Sequence, residues 1–198
     1  VVNGTGGSFG NANSPTSTVN VTAYGTYQFT WTEVNGICSD NAAITVNFYQ
    51  QPVANAGTSS SQCDLDFTFN GVASVGTGTW TYSGPGTATF APSANDVNAT
   101  VTVNQTGTYT FTWTENNNGC TSSDSETITF NPLPVVSASG LAANYCANQT
   151  TPIPLSGTPA GGTFSGPGIS GNSFIPSVAG PGAASVTYTY TDGNGCTN

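Results

Sequence analysis

The sequence predicts an all-β fold: tandem Ig-like antiparallel β-sandwich units, each with about seven strands in ~82 residues. Three observations carry this prediction. A set of residues recurs at one fixed offset, short strand-like stretches alternate with turn residues throughout, and no stretch shows a helical apolar period.

Gly25-Thr26-Tyr27, Phe29, Trp31, Glu33 and Cys38 recur as Gly107-Thr108-Tyr109, Phe111, Trp113, Glu115 and Cys120, each 82 residues further on. Thr45, Phe48, Pro52 and Val53 have counterparts at Thr127, Phe130, Pro134 and Val135 at the same offset. Gly84-Pro85-Gly86 returns as Gly166-Pro167-Gly168, and Phe90-Ala91-Pro92-Ser93 as Phe174-Ile175-Pro176-Ser177. Tyr188-Thr189-Tyr190-Thr191-Asp192, followed by Gly195-Cys196, is a diverged copy of the aromatic segment. The chain divides accordingly. Residues 1–51 are the C-terminal part of one unit, 52–133 a complete unit, and 134–198 a unit lacking its last strand. Sandwiches cut in this way would expose strand edges, so the segment is expected to belong to a longer array.

Within the complete unit, strands are expected near 52–57, 65–70, 77–82, 87–91, 98–104, 107–115 and 124–130, separated by Gly, Pro, Asn and Ser turns. In Tyr109-Thr110-Phe111-Thr112-Trp113-Thr114-Glu115 the aromatics alternate with Thr, which puts the rings on a core face and the Thr hydroxyls in water. The predicted core therefore includes Tyr27, Phe29, Trp31, Tyr109, Phe111, Trp113, Tyr188 and Tyr190. Gly107-Thr108-Tyr109 has the form of a tyrosine corner. Two residues after that Tyr, where an antibody domain carries a core Cys, this chain has Phe111, so aromatic packing replaces the inter-sheet disulfide. Tyr49-Gln50-Gln51-Pro52 and Asn131-Pro132-Leu133-Pro134 form short Pro-bearing junctions, which favour stiff connections.

Composition excludes whole classes of function. The chain has no Lys, Arg or His against nine acidic residues, a net charge of −9. Without cations it cannot neutralise phosphates, so nucleic acid is not an expected partner, and docking on anionic lipid is disfavoured. No apolar run approaches the length of a membrane span. Without His or Lys there is no imidazole base, no Ser-His-Asp set and no Schiff-base lysine. The chain is expected not to be an enzyme. Its regularly spaced cysteines point to an oxidising, extracellular compartment.

The motifs resemble the Ig-like and PKD-like repeats of giant surface and secreted proteins of gliding and related Bacteroidetes bacteria. The resemblance rests on the segment from Asn11 to Val19, on Gly107-Thr108-Tyr109 running to Cys120, and on Pro159-Ala160-Gly161-Gly162-Thr163-Phe164 with Tyr188 through Cys196. It implies a large adhesin or extracellular filament, displayed on the bacterial cell surface and exported in many relatives by the type IX route. No catalytic residues come with it. The expected role is a stalk or filament shaft whose partners are neighbouring repeats of the same longer chain. Other copies in a filament and surface glycans are further candidate partners. The alternative role is a carbohydrate- or surface-polymer-binding module using loops such as 82–88 and 164–173.

No cofactor is expected. Calcium is the one metal the composition permits, with Asp64, Asp66, Glu115, Asp124, Glu126 and Asp192 as candidate ligands. None of these matches an EF-hand loop, and turn Asp and Asn residues ordinarily bond their own backbone. Trp31, Trp80 and Trp113 could form a sugar-stacking platform, but two of the three recur at core parity.

Each unit carries one Cys before its second strand (Cys63, Cys146) and one after its sixth (Cys38, Cys120, Cys196). Two pairings follow. Bonds within units would join Cys63–Cys120 and Cys146–Cys196, leaving the partner of Cys38 outside the segment. In a standard sandwich, however, the two positions lie at opposite poles, and Cys63 would then meet Cys196 across the junction. Pairing within the unit is the expectation, since it lets each unit fold independently.

Overall fold

The computed structural model describes residues 2, 3 and 6–198. Among them nearly all regular structure is β, and the single helix is one turn long.

The central unit shows how its sequence becomes a sandwich. A four-stranded sheet is formed by β6 (Ser60–Gln62), β12 (Cys120–Phe130), β11 (Gly107–Asn117) and β8 (Thr77–Ser83), in that order. It faces a three-stranded sheet ordered β7 (Asp66–Thr68), β10 (Thr100–Val103) and β9 (Ala88–Ala91). All neighbours are antiparallel except β6, which runs parallel to β12 with Gln62 opposite Phe130. Alternation does the folding work. In β11 the rings of Tyr109, Phe111 and Trp113 point inward, and the Thr hydroxyls between them bond across the outer face, as Thr112 does to Ser125. Those rings meet Phe69, Trp80, Val101, Val103, Ile128 and Phe130 in one buried cluster. Phe69 stacks on Trp80 at 3.9 Å between ring centroids. Gly78 is required here, because a Cβ would lie 1.8 Å from the Trp113 ring.

The expected tyrosine corner is present in both copies. Tyr109 donates its hydroxyl to the Gln105 carbonyl at 3.0 Å, and Tyr27 donates to Ala23 at 2.9 Å. The strand expected at 52–57 is not a ladder strand. Its only backbone bridge joins Asn55 to Val72, and the paired edge segment is β6, further on. Val53, Ala54 and Ala56 bond instead to side chains, and Gly57 breaks the extended run with φ of +107°.

The N-terminal segment repeats the second half of this unit. β4 (Gly25–Asn35) and β5 (Cys38–Phe48) are offset by 82 residues from β11 and β12 and have the same register, Gly25 opposite Phe48 as Gly107 is opposite Phe130. β1 (Val2–Asn3) pairs with β4, and β2 (Gly7–Phe9) pairs with β3 (Val19–Val21). Tyr27 and Phe29 are buried, but Trp31, expected in the core, is half-exposed. Among the described residues no aromatic ring lies against Trp31 as Trp80 lies against Trp113.

The C-terminal segment diverges. β13 (Ser137–Ser139) pairs with β15 (Ser156–Thr158), and β16 (Thr163–Ser165) with β19 (Thr187–Thr189). β14 (Ile153–Pro154), β18 (Ser173–Phe174) and β17 (Ile169–Ser170) form a small sheet with β18 in the middle. α1 (Pro176–Ala179) and the Gly180-Pro181-Gly182 stretch follow where the central unit has the turn between β9 and β10. Tyr188 is buried and its hydroxyl bonds to Pro159 and Gly162. Tyr190, also expected in the core, lies past the end of β19 and is half-exposed.

Candidate functional site at the junctions between units

At the first junction the incoming segment is fastened to the tip of the β11–β12 hairpin and the strand that follows it. The Asn117 side-chain amide donates to the Gln50 carbonyl at 2.9 Å, and the Gln51 amide donates to the Thr121 carbonyl. Further in, the backbone N–H of Ala54 donates to Ser122 Oγ and that of Ala56 to Asp124 Oδ2. Val53 N–H donates to Ser74 Oγ at 2.8 Å, and Ser74 donates both its hydroxyl and its N–H to the Glu115 carboxylate. The Trp113 indole N–H donates to the same carboxylate at 3.2 Å. Burial pushes the Glu115 pKa up, but the bonds from Ser74 and Trp113 outweigh it and hold it below the ordinary value. Glu115 therefore stays ionised in the interior and ties the start of the unit to its main aromatic strand. The N-terminal segment has the corresponding pair, with the Trp31 indole donating to Glu33 at 3.1 Å.

At the second junction the bond is covalent. Cys63 and Cys196 form a disulfide with Cα atoms 5.2 Å apart, across 133 residues of sequence. Cys63 follows β6 at the end of the sandwich where Gln62 lies opposite Phe130, and Asn131 N–H donates to the Gln62 carbonyl at 2.8 Å. Cys196 belongs to a turn shaped by Asp192, whose Oδ1 accepts from the N–H groups of Asn194 and Cys196, each at 2.9 Å. Asn198 then donates its side-chain amide to the Pro134 carbonyl at 2.9 Å. The loop tip of one unit is thus bonded to the base of the unit before it.

This corrects the expected pairings within units, Cys63–Cys120 and Cys146–Cys196. Cys120 begins β12 and Cys63 lies beside its last residue, Phe130. Ten residues of strand separate them by roughly 33 Å, whereas a disulfide needs Cα atoms within about 7 Å. Cys38, Cys120 and Cys146 carry free thiols. The alternative raised from sandwich polarity, Cys63–Cys196, is the bond observed.

The six acidic candidates for calcium are not brought together. No group of three acidic, Cys or His side chains able to hold a metal exists among the described residues. Asp192, Asp64 and Asp124 accept from backbone N–H groups, at 3.4 Å in the case of Asp64 to Asp66 N–H. Glu115 is taken up by Ser74 and Trp113. Glu126 stands apart, because it is 2% exposed and neither carboxylate oxygen has a hydrogen-bond partner. Burial, and then the neighbouring Asp124 charge, push its pKa up to about 7. The sequence singled it out as a candidate calcium ligand, whereas its parity with Ile128 and Phe130 already places it on the inward face of β12.

The sugar-platform reading loses two of its three rings, since Trp80 and Trp113 are 2% and 1% exposed. Trp31 instead lines an open apolar groove with Phe9, Pro15, Phe29, Ile44 and Phe48. The two loops considered for polymer binding are built from internal bonds. Thr87 and Asn104 bond reciprocally beside 82–88, and Ile169 N–H donates to Gly166 within 164–173. Among the described residues, no helix is long and apolar enough to cross a membrane. No family model matches the chain, and no curated protein matches it in sequence.

Proposed function

We propose that this chain is a structural segment of an extracellular array, a shaft or stalk whose role is length and stiffness. The observation that carries the reading is the Cys63–Cys196 disulfide, which spans a junction rather than closing a unit. A bond inside a unit stabilises that unit, whereas a bond between units limits how far they bend about the linker. The Pro-bearing linkers and the hydrogen bonds from Asn117 to Gln50 and from Gln51 to Thr121 act in the same direction. An accessible surface of 11770 Å² also supports the reading, being about a third above the roughly 8,700 Å² of a compact monomer of 19.9 kDa. A disulfide is consistent with an extracellular protein. Placement on a bacterial cell surface, in an adhesin resembling those of gliding Bacteroidetes, is part of the proposal.

Small-angle scattering tests it. Units with strands of eleven residues laid end to end make a rod on the order of 100 Å long, with a radius of gyration of roughly 30 Å. A compact chain of this length has about 16 Å. Reduction should broaden the distance distribution without unfolding the units. A radius near the compact value would overturn the shaft reading.

A further inference from the structure

The disulfide joins two kinds of position that recur through the chain. Cys63 is in the turn ahead of β7, and Cys146 occupies the same place between β13 and β14. Cys196 is at a hairpin-like tip in Gly195-Cys196-Thr197, and Cys120 is in Gly119-Cys120-Thr121. Cys38 begins β5 as Cys120 begins β12, opposite Asn35 and Asn117 respectively. The bond between Cys63 and Cys196 therefore joins a turn cysteine to the tip cysteine of the following unit.

A second, independent observation places Cys120 at the equivalent point of the preceding junction. The β11–β12 tip reaches the linker through Asn117 to Gln50 and Thr121 to Gln51, as the tip holding Cys196 reaches its own linker through Asn198 to Pro134. The thiols of Cys38 and Cys146 are exposed, and that of Cys120 is half-buried. None has a counterpart of the right kind within reach on the adjacent unit of this chain. Residues 1–51 hold no turn cysteine for Cys120, although the linker brings its tip to that unit.

We propose that Cys38, Cys120 and Cys146 are junction thiols, each complementary to a cysteine of an adjoining unit of the same repeat type. The rule is that a tip cysteine bonds the turn cysteine of the unit before it. Cys38 and Cys120 thus take a turn cysteine, and Cys146 takes a tip cysteine. Each bond forms as two thiols give up two protons and two electrons to a disulfide oxidant, such as oxidised glutathione, which leaves as two thiols. The proposal rests on the shaft reading for its consequence, a covalent ladder in which every junction is stapled and no unit closes on itself.

Connectivity decides it. A second copy of residues 52–133 is inserted after residue 133 of the full chain, with Ser61→Ala and Thr121→Ser in the inserted copy as mass labels beside its two cysteines. The protein is refolded in a glutathione redox buffer at high dilution and mapped without reduction. The rule requires Cys63 of the first copy bonded to Cys120 of the second, Cys63 of the second bonded to Cys196, and the first copy's Cys120 free. Cys63–Cys120 bonds within each copy would overturn it. In parallel, Cys63→Ser in the unextended chain should leave all four remaining cysteines free. A Cys146–Cys196 or Cys120–Cys196 bond there would show that these thiols pair by opportunity, which also overturns the rule. A compact chain in scattering would defeat the shaft reading without altering this map. Pairing within units would defeat the ladder and leave a rod standing.

Discussion

At pH 8 Glu126 carries a negative charge in the interior of the central sandwich with no donor directed at it, beside the like charge of Asp124. No side chain in the protein is cationic, so nothing offsets either charge. Its pKa rises from 4.5 to about 7, and the sign of the consequence follows. Below pH 4.5 the group is protonated in folded and unfolded chains alike and contributes nothing. Between pH 4.5 and 7 the folded protein keeps a proton that the unfolded chain has released, so stability falls as pH rises. Above pH 7 the deficit is complete, about 3 kcal/mol for a displacement of this size. Glu126→Gln removes the charge with little change of shape. The variant should match the wild type near pH 4 and exceed it by up to about 3 kcal/mol at pH 8. Urea unfolding followed by the fluorescence of buried Trp80 and Trp113, in half-unit pH steps, measures the difference. Subtracting wild type from variant cancels the carboxylates that do not interact with position 126, so the difference reports Glu126 together with its coupling to Asp124. A difference that stays flat from pH 4 to 8 would refute the reasoning, because Glu126 would then be solvated or bonded in solution.

Glu115 should behave oppositely. Its pKa is lowered, so its contribution is present above 4.5 and lost as pH falls through the folded value. Ser74→Ala should accordingly cost about 1–3 kcal/mol at pH 7, measured by urea unfolding, and less at acid pH. Trp113→Ala should cost about 3–5 kcal/mol in the same assay, since its ring is enclosed by Trp80 and Gly78. A loss below about 1 kcal/mol would mean that the ring is exposed. Tyr109→Phe removes only the corner hydrogen bond to Gln105 and should cost about 0.5–1.5 kcal/mol. Native protein should resist chymotrypsin at Phe111 and Trp113, which limited proteolysis with mass mapping will show.

Much of this fold is written in two periodicities. The period of two in Tyr109-Thr110-Phe111-Thr112-Trp113 identified the core face, and the offset of 82 transferred it to Tyr27 and Phe29. The same offset misplaced Trp31, because burial depends on what lies opposite, and among the described residues no ring lies against it as Trp80 lies against Trp113. Tyr190 failed for a related reason: parity operates only inside a ladder, and β19 ends one residue earlier. The segment at 52–57 has strand-like residues, but its N–H groups find Ser122 and Asp124 side chains in place of a backbone ladder. Residue type alone does not distinguish those two acceptors. The disulfide was legible only through topology. Spacing along the chain favours closing a unit, while the polarity of a sandwich puts its two cysteines at opposite poles.

That polarity also explains how a chain with no positive side chain can keep its units in line. Ion pairs between units cannot form, and the net charge of −9 makes neighbouring units repel. Over distances beyond roughly 8–10 Å physiological salt screens the repulsion, so charge alone would let the linkers flex. The contacts found between units are of kinds that salt does not weaken: a disulfide, and neutral amide-to-carbonyl bonds from Asn117 and Gln51. On the shaft reading, stiffness should then be insensitive to ionic strength and sensitive to reductant. The radius of gyration measured from low to molar salt should stay constant within a few per cent in the oxidised chain. A steady contraction with added salt would mean that repulsion, rather than the bonded junctions, holds the units apart.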